Sequence, residues 1–340
     1  GYRRKRAFSC GAWGMTAAMP DGSDVSIEDD STPVDDLIQP FNLQAGRASG
    51  PAMTGRLSRL GPLADDVLNR HDYPEPVAAL VAEALALGAT LAGALKFNGI
   101  FTLQIQGDGP VSLVVIDITT EDEGATFSLR GYANFDTDKL ATLDERDARA
   151  LLGKGYLALT VDQGPHTERY QGMVELVGDS MAEFAQHYFR QSQQMDAALM
   201  VSAGREGGTG AWRAAALMLQ RVADQLLEIL PSDEGDDPWR RTMMLMATGT
   251  DAEMLDPDLV ARRYLYRLFH EEGLRVTPPR RLMRGCRCSE ERILNVLHQL
   301  PQDELVDLSI DGAVEVTCEF CNALYLFDPQ TLEPRSPSAG

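Results

Sequence analysis

Two closely spaced pairs of cysteines carry the clearest chemistry in this chain: Cys286-Arg287-Cys288, then 29 residues, then Cys318-Glu319-Phe320-Cys321. Thiolates are soft, charged ligands, and four of them complete a tetrahedral zinc shell at bonds of ~2.3 Å. A Cys-x-x-Cys turn brings two sulfurs to that separation. A Cys-x-Cys pair on an extended segment points both side chains the same way, because the strand period is two. Cys286, Cys288, Cys318 and Cys321 are therefore expected to clasp one Zn2+ per chain. The spacing alone leaves open whether this is a permanent clip, as closed four-cysteine sites usually are, or a switch. Each pair can close into a local disulfide, which expels the metal. Arg284, Arg287 and Arg292 either favour the oxidisable thiolate or are plain solvated surface.

Local elements must hold the two arms together. Glu290–Leu300 reads as a helix and Val314–Thr317 as a strand, a unit with so little core that a metal is expected to organise it. Upstream, Arg56–Gly61 reads as a strand entering a turn, and residues 74–95 as a helix with Leu80, Ala84, Leu87, Leu91 and Leu95 at helical spacing. Phe101–Gln106 and Val111–Asp117 read as strands joined by Gly107-Asp108-Gly109-Pro110, a turn and not a phosphate loop, and Asn98-Gly99 is a further turn signal. A second hairpin is expected from Gly155–Val161 and Arg169–Val177. A helix capped by Asp179 or Ser180 runs through Met195, and residues 211–230 read as an amphipathic helix. Hairpins mixed with helices, without repeated βα crossovers, point to an α+β fold: an N-terminal mixed sheet-and-helix domain, a helical linker and a small C-terminal zinc-binding domain.

The chain has 340 residues, 44% of them hydrophobic and 24% charged, enough for a proper core without disulfides. Its formal net charge is −20, which repels polyanions, so no nucleic-acid partner is expected despite the local patch Arg280, Arg281, Arg284 and Arg287. No run approaches the ~18 consecutive apolar residues of a membrane span, so no membrane partner is expected either. Four of the five cysteines lie in the last 55 residues, a distribution that favours metal or redox chemistry in a reducing, cytoplasmic setting over an extracellular disulfide framework. Cys10 falls in a basic, then Asp-, Ser- and Pro-rich leader, and is expected to be dispensable; Met15 or Met19 offers an alternative start. His71, His166, His187 and His270 pair with no nucleophile, His298 is superfluous beside four thiolates, and Cys318-x-x-Cys321 lacks the βαβ setting of a thioredoxin site. No catalytic constellation emerges, and the chain is not expected to be an enzyme.

The module GCRCSEER…VEVTCEFCNALYLFD resembles the C-terminal redox domain of the heat-shock protein 33 family, the 33 kDa chaperonins. GRLSRLGP, HDYPEPV, EALALGATLAGALKFNGIFTLQIQGDGPVSLVV, RGYANFD, DQGPHTERYQGMVEL and HYFRQS resemble that family's N-terminal domain, in order, so that the likeness spans roughly residues 36–330. The resemblance implies an ATP-independent holdase. Reduced, it binds zinc through the four cysteines; oxidised, it forms the disulfides Cys286–Cys288 and Cys318–Cys321, releases zinc and loosens the preceding linker. It then binds unfolding client proteins and dimerises. On that reading residues 1–35 are a disordered leader, 36–232 the chaperone domain, 233–280 the linker, 281–330 the redox switch and 331–340 a disordered tail.

Pro231, Pro238 and Pro278-Pro279 bracket the linker. Within it Trp239, Met243 and Met246 are expected to share one helical face, as are Leu255, Leu259, Tyr266 and Phe269. Met-rich apolar surfaces suit promiscuous partners, so Trp239, Met243, Met246, Tyr266 and Phe269 are the expected client contacts. Ordinary core packing is the more common role for any one of these side chains, and both hold if the surface is buried when reduced and uncovered when oxidised. A zinc-ribbon interaction module on an α+β domain, without redox switching, is the alternative.

Overall fold

Strands β1 (Leu37–Leu43) and β2 (Met53–Leu60) pair antiparallel along their length. Phe41 lies over Gly55, where an added Cβ would meet its ring at 2.1 Å, so only glycine admits that ring. These coordinates are a computed structural model, which describes residues 35–45, 51–144, 147–164, 167–222, 237–310, 312–332 and 334–335. Two units result. One takes in the chain up to Leu68 and Tyr73–Arg284, and the other takes in Asn69–Asp72 and Gly285 onward.

In the larger unit, α1 (Pro62–Leu68) leads to α2 (Glu75–Ala94). Ala and Leu surround α2 on all sides, which suits a helix buried all round. By length and composition alone α2 could cross a membrane, yet 83% of its apolar window is buried inside the protein. It is a core helix. The hairpin β3 (Ile100–Gly107) and β4 (Val111–Glu121) turns at Gly107–Pro110 as its composition predicts. β5 (Thr126–Phe135) follows, then the short helices α3 (Thr137–Ala141) and α4 (Ala148–Leu152), then the hairpin β6 (Gly155–Asp162) and β7 (Tyr170–Glu175). Ser180 caps α5 (Met181–Tyr188) by accepting from the Glu183 N–H, and one wide helical turn continues to Gln193.

Residues 211–230 are not a helix where they are described: β8 (Ala197–Arg205) pairs with β9 (Trp212–Arg221), which also pairs with β2. Residues 223–230 lie outside the described residues. The physical reason is burial on both faces. A strand covered on each side reads as a continuous apolar run, and Ala-Ala-Ala-Leu-Met-Leu then mimics a good helix former.

The segment from residue 237 to Arg284 completes the larger unit. Helices α6 (Pro238–Met246), α7 (Asp251–Leu255) and α8 (Ala261–Phe269), with β10 (Leu274–Val276) paired to β1, lie on the sheet face opposite α2. The next strand, β11 (Arg280–Arg284), joins the same sheet, parallel to β5 and antiparallel to β1. The sheet thus runs β7-β6-β3-β4-β5-β11-β1-β2-β9-β8. Trp239, Met246, Met254, Tyr264, Leu265, Leu268 and Phe269 pack with Phe41, Leu57, Leu217 and Leu219 in one core cluster. Phe269 stacks on Phe41 with ring centroids 5.8 Å apart. Met243 packs partly buried against the cluster. Tyr266 does not share the Phe269 face: the buried stripe of α8 is Ala261, Tyr264, Leu265, Leu268 and Phe269, and Tyr266 is 40% exposed on the other side.

Polar groups also fix the stretch between α7 and α8. Arg59 and Arg213, both nearly inaccessible, rise from the sheet. Arg59 donates to the Leu259 and Asp256 carbonyls, and Arg213 Nε donates to the Leu255 carbonyl at 2.7 Å. Asp35 pairs with Arg213 and lies 3.9 Å from Arg59. On α2, burial first and then the charge of Asp251 on α7 push the partly buried Glu83 up to about 7. The folded chain therefore prefers Glu83 protonated. That contribution is complete below the unfolded value near 4.5 and is lost as pH rises through about 7. Lowering the pH from 8 to 6 should raise the melting temperature of the reduced protein by several degrees, and Glu83→Gln should flatten that dependence. An unchanged slope in Glu83→Gln would show that other groups set it.

In the smaller unit, α9 (Glu290–Leu297) and α10 (Gln302–Asp307) precede the sheet β12 (Ser309–Ile310), β13 (Ala313–Thr317), β14 (Leu324–Phe327) and β15 (Pro334–Arg335). Among the described residues its buried apolar core is Leu297, Leu305, Val314, Phe327 and Leu332. Val296, Val306, Leu308 and Ile310 are each at least half exposed. So small a core does not hold a unit of this length by itself.

Candidate metal centre

The four sulfurs meet. Cys286 and Cys288 sit on the extended stretch between β11 and α9, two residues apart, and Ser289 caps α9 by accepting from the Arg292 N–H. Cys318 ends β13. The chain then turns back, with the Asn322 N–H donating to the Cys318 carbonyl at 2.8 Å and the Cys318 N–H to the Ala323 carbonyl at 2.9 Å. Asn322 takes the left-handed conformation at φ 56°, one that Asn tolerates better than most residues. The Cys-x-x-Cys segment is therefore the turn of a β hairpin and does not open a helix, which separates it from a thioredoxin site.

Cys286 Sγ lies 3.2 Å from Cys288 Sγ and 3.7 Å from Cys318 Sγ, and Cys288 Sγ lies 3.4 Å from Cys321 Sγ. All four sulfurs fall within 4.8 Å of one another. Tetrahedral bonds of ~2.3 Å place sulfurs about 3.8 Å apart, so a small expansion admits an ion. The spacings far exceed a disulfide's ~2.05 Å, and all four are free thiols. The donor set, four soft sulfurs without a carboxylate, suits a zinc-like cation over magnesium or calcium. His298 caps the end of α9 and is not in the cluster, and Cys10 lies outside the described residues.

Without a cation the cluster resists multiple ionisation. Burial opposes the Cys286 thiolate, but the backbone N–H of Cys288 and hydrogen bonding with the sulfurs of Cys288, Cys321 and Cys318 bring it down to about 6. Burial raises Cys318. Burial, together with donation to its neighbours, pushes Cys321 up to about 12. The cluster thus holds its first negative charge readily and resists the next, which a divalent cation reverses. The expected role of the arginines does not appear. These shifts come from burial and from hydrogen bonds inside the cluster, while Arg284 Nε pairs with Asp66 at 2.6 Å and Arg292 donates to the Arg287 carbonyl at 2.6 Å.

One contact of the cluster escaped the sequence reading. The Tyr325 hydroxyl, on β14, donates to Cys288 Sγ at 3.2 Å. Donation to Cys288 is the main reason the Tyr325 phenol holds its proton more tightly than usual. The available signal was its place in the strand leaving the cysteine turn. Outer partners of this kind typically tune metal affinity by ~10–100-fold. Tyr325→Phe should weaken divalent-metal binding by roughly tenfold, measured by competition with a chromophoric chelator. Unchanged affinity would make Tyr325 a packing residue.

The sequence model of the family described as Hsp33 protein matches residues 42–328. The 33 kDa chaperonin of Caulobacter vibrioides is 38% identical over 310 residues, covering 89% of this chain and 98% of that protein. The 33 kDa chaperonin of Pseudomonas fluorescens is 35% identical over 278 residues, covering 81% and 86%. The crystal structure of the 33 kDa chaperonin from Thermotoga maritima has the same fold, with a TM-score of 0.70 at 23% identity over 87% of this chain and 96% of that one.

Proposed function

The chain belongs to the Hsp33 protein family, and from that premise we propose that it is a redox-regulated, ATP-independent holdase with one zinc per reduced chain. The observation that carries this reading is the approach of four free thiols to within 4.8 Å in a unit with almost no core of its own. A zinc ion bound by Cys286, Cys288, Cys318 and Cys321 supplies the positive charge that lets four sulfurs ionise together, and its binding free energy becomes folding free energy.

The residues then work as follows. In each pair a thiolate attacks hydrogen peroxide and breaks the O–O bond; the sulfur becomes a sulfenic acid, and the departing hydroxide takes a proton from solvent to leave as water. The neighbouring thiol attacks that sulfur and expels a second water. Each peroxide accepts two electrons and each pair gains one disulfide, Cys286–Cys288 or Cys318–Cys321. No thiolate is left to hold a metal. The unit from Gly285 onward loses its order, β11 loses its continuation, and the linker at residues 233–280 separates from the sheet. Trp239, Met243, Met246 and Phe269, with Tyr266 at the margin, then become client contacts. The sheet face beneath them, lined by Phe41, Leu57, Leu217 and Leu219, is uncovered as well. Unfolding proteins are the partners, and two activated chains associate through the same apolar surface. Thiols that must stay reduced until stress place the protein in a reducing, cytoplasmic compartment.

The test is to treat the zinc-loaded protein with peroxide beside a zinc indicator and to assay suppression of client aggregation. Zinc release and suppression should rise together and reverse with dithiothreitol. Zinc release without suppression, or suppression by the untreated protein, would leave the cysteines as a permanent structural clip.

A further inference from the structure

Arg56 and Arg280 are two neighbouring cations that no described residue neutralises. Arg56, on β2, is only 3% exposed. Its Nε donates to the Gly93 carbonyl at 3.1 Å and its Nη1 to the Gly55 carbonyl at 3.0 Å. Arg280 opens β11, is partly exposed, and directs Nη1 at the same Gly93 carbonyl at 3.5 Å. Its guanidinium lies 5.6 Å from the centroid of the Phe127 ring. β1 runs between them, with Pro40 opposite Arg56 and Ile38 opposite Arg280. Ile38 lies against Gly93, which puts this place on the α2 face of the sheet, at the C-terminal end of that helix.

The chain carries 51 acidic residues against 31 Lys and Arg, yet among the described residues neither arginine has a carboxylate within ion-pair distance. Burial, then the charge of Arg280, brings Arg56 down to about 10, and burial lowers Arg280 as well. The end of α2 answers only part of this charge: a helix C-terminus is equivalent to about half a negative charge, against two full positive ones. Buried charges are ordinarily paired. Arg56 Nη2 and Arg280 Nε and Nη2 have no acceptor among the described residues.

We infer that Arg56 and Arg280 form a binding site for a phosphate-type oxyanion. Two cations call for two negative charges on one small ligand, which a phosphate dianion supplies and a carboxylate does not. Its tetrahedral oxygens accept from Arg56 Nη2 and from the Nε–Nη2 fork of Arg280 at once, with Arg56 as the floor of the site and Arg280 at its mouth. An anion held there ties β11 to β2 across β1. The inference rests on these contacts alone and is independent of the chaperone reading.

The test uses the reduced, zinc-loaded full chain. Inorganic phosphate should raise its melting temperature in a saturating way beyond chloride at equal ionic strength, because a ligand of the folded state alone stabilises it by mass action. Calorimetric titration should show phosphate binding at least tenfold weaker in Arg280→Gln, with zinc content unchanged. If Arg280→Gln does not retain zinc and native circular dichroism, Arg280→Lys keeps the charge without the fork and should still bind phosphate several-fold more weakly. Pyrophosphate binding more tightly than phosphate would point to the end group of a larger phosphorylated molecule, and equal binding to the free ion; both fit the inference. A phosphate response no larger than that of chloride, or an undiminished response in the folded Arg280 variant, would overturn it.

Discussion

Replacing Cys318 with serine should cost the smaller unit both its metal and its order. The substitution removes a soft, charged ligand from a four-sulfur cluster and leaves three thiols, of which Cys321 resists ionisation because it is buried. The loss in affinity should exceed the ~10–100-fold typical of deleting an outer partner. The unit cannot absorb it. Its described apolar core is five side chains, while metal binding contributes an apparent ~10–16 kcal/mol to folding in zinc-finger peptides. Whole domains are stable by only about 5–15 kcal/mol. Metal analysis of purified Cys318→Ser should find far less than one zinc per chain, and limited proteolysis should cut readily between residues 285 and 335. Full zinc content with a protease-resistant unit would mean that three sulfurs suffice and that the metal does not organise the fold.

A comparable effect is expected at Phe269, on the other unit. This ring is fully buried and stacks on Phe41, which in turn lies over Gly55. Phe→Ala at a buried site typically costs about 3–5 kcal/mol. Phe269 is among the largest of the side chains that this segment buries against the sheet, so Phe269→Ala should loosen α6–α8 while the cysteines stay reduced. The reduced variant should then suppress client aggregation without peroxide, where the wild type does not. Tyr266→Ala, at a 40% exposed position on the opposite side of α8, should behave like the wild type when reduced. A Phe269→Ala protein whose linker amides exchange freely, yet which stays inactive until oxidised, would separate linker release from client binding.

Much of this was legible in the residues, for identifiable reasons. The α2 pattern, the Gly-Asp-Gly-Pro turn and the cysteine pairs are local signals whose meaning does not depend on distant partners. β9 was misread because its neighbours, α2 on one face and the linker on the other, lie far away in sequence, and double burial erases the alternation that marks a strand. Tyr266 was placed on the wrong face because one helical face was read through Leu255, Leu259 and Tyr266, whereas α7 ends at Leu255 and α8 begins anew at Ala261. β11, Arg-Arg-Leu-Met-Arg, looks like a basic surface segment; its pairing with β5 and β1 is a property of the assembled sheet. The Tyr325 hydroxyl reaches Cys288 across 37 positions, and the arginine carbonyl contacts that hold residues 255–259 reach still further. No sequence window contains them.

The central claim is that the state of four thiols controls the order of a linker they do not belong to. Hydrogen exchange followed by mass spectrometry, on reduced zinc-loaded protein and on the peroxide-treated protein, tests it most directly. In the reduced state the amides of α6, α7, α8 and β10, residues 238–276, should be protected as members of the sheet's core. In the oxidised state they should exchange within seconds to minutes, together with residues 285–332, while α2 and β3–β6 stay protected and aggregation of a denatured client is suppressed. Equal protection of residues 238–276 in both states, alongside full suppression by the oxidised protein, would contradict the account.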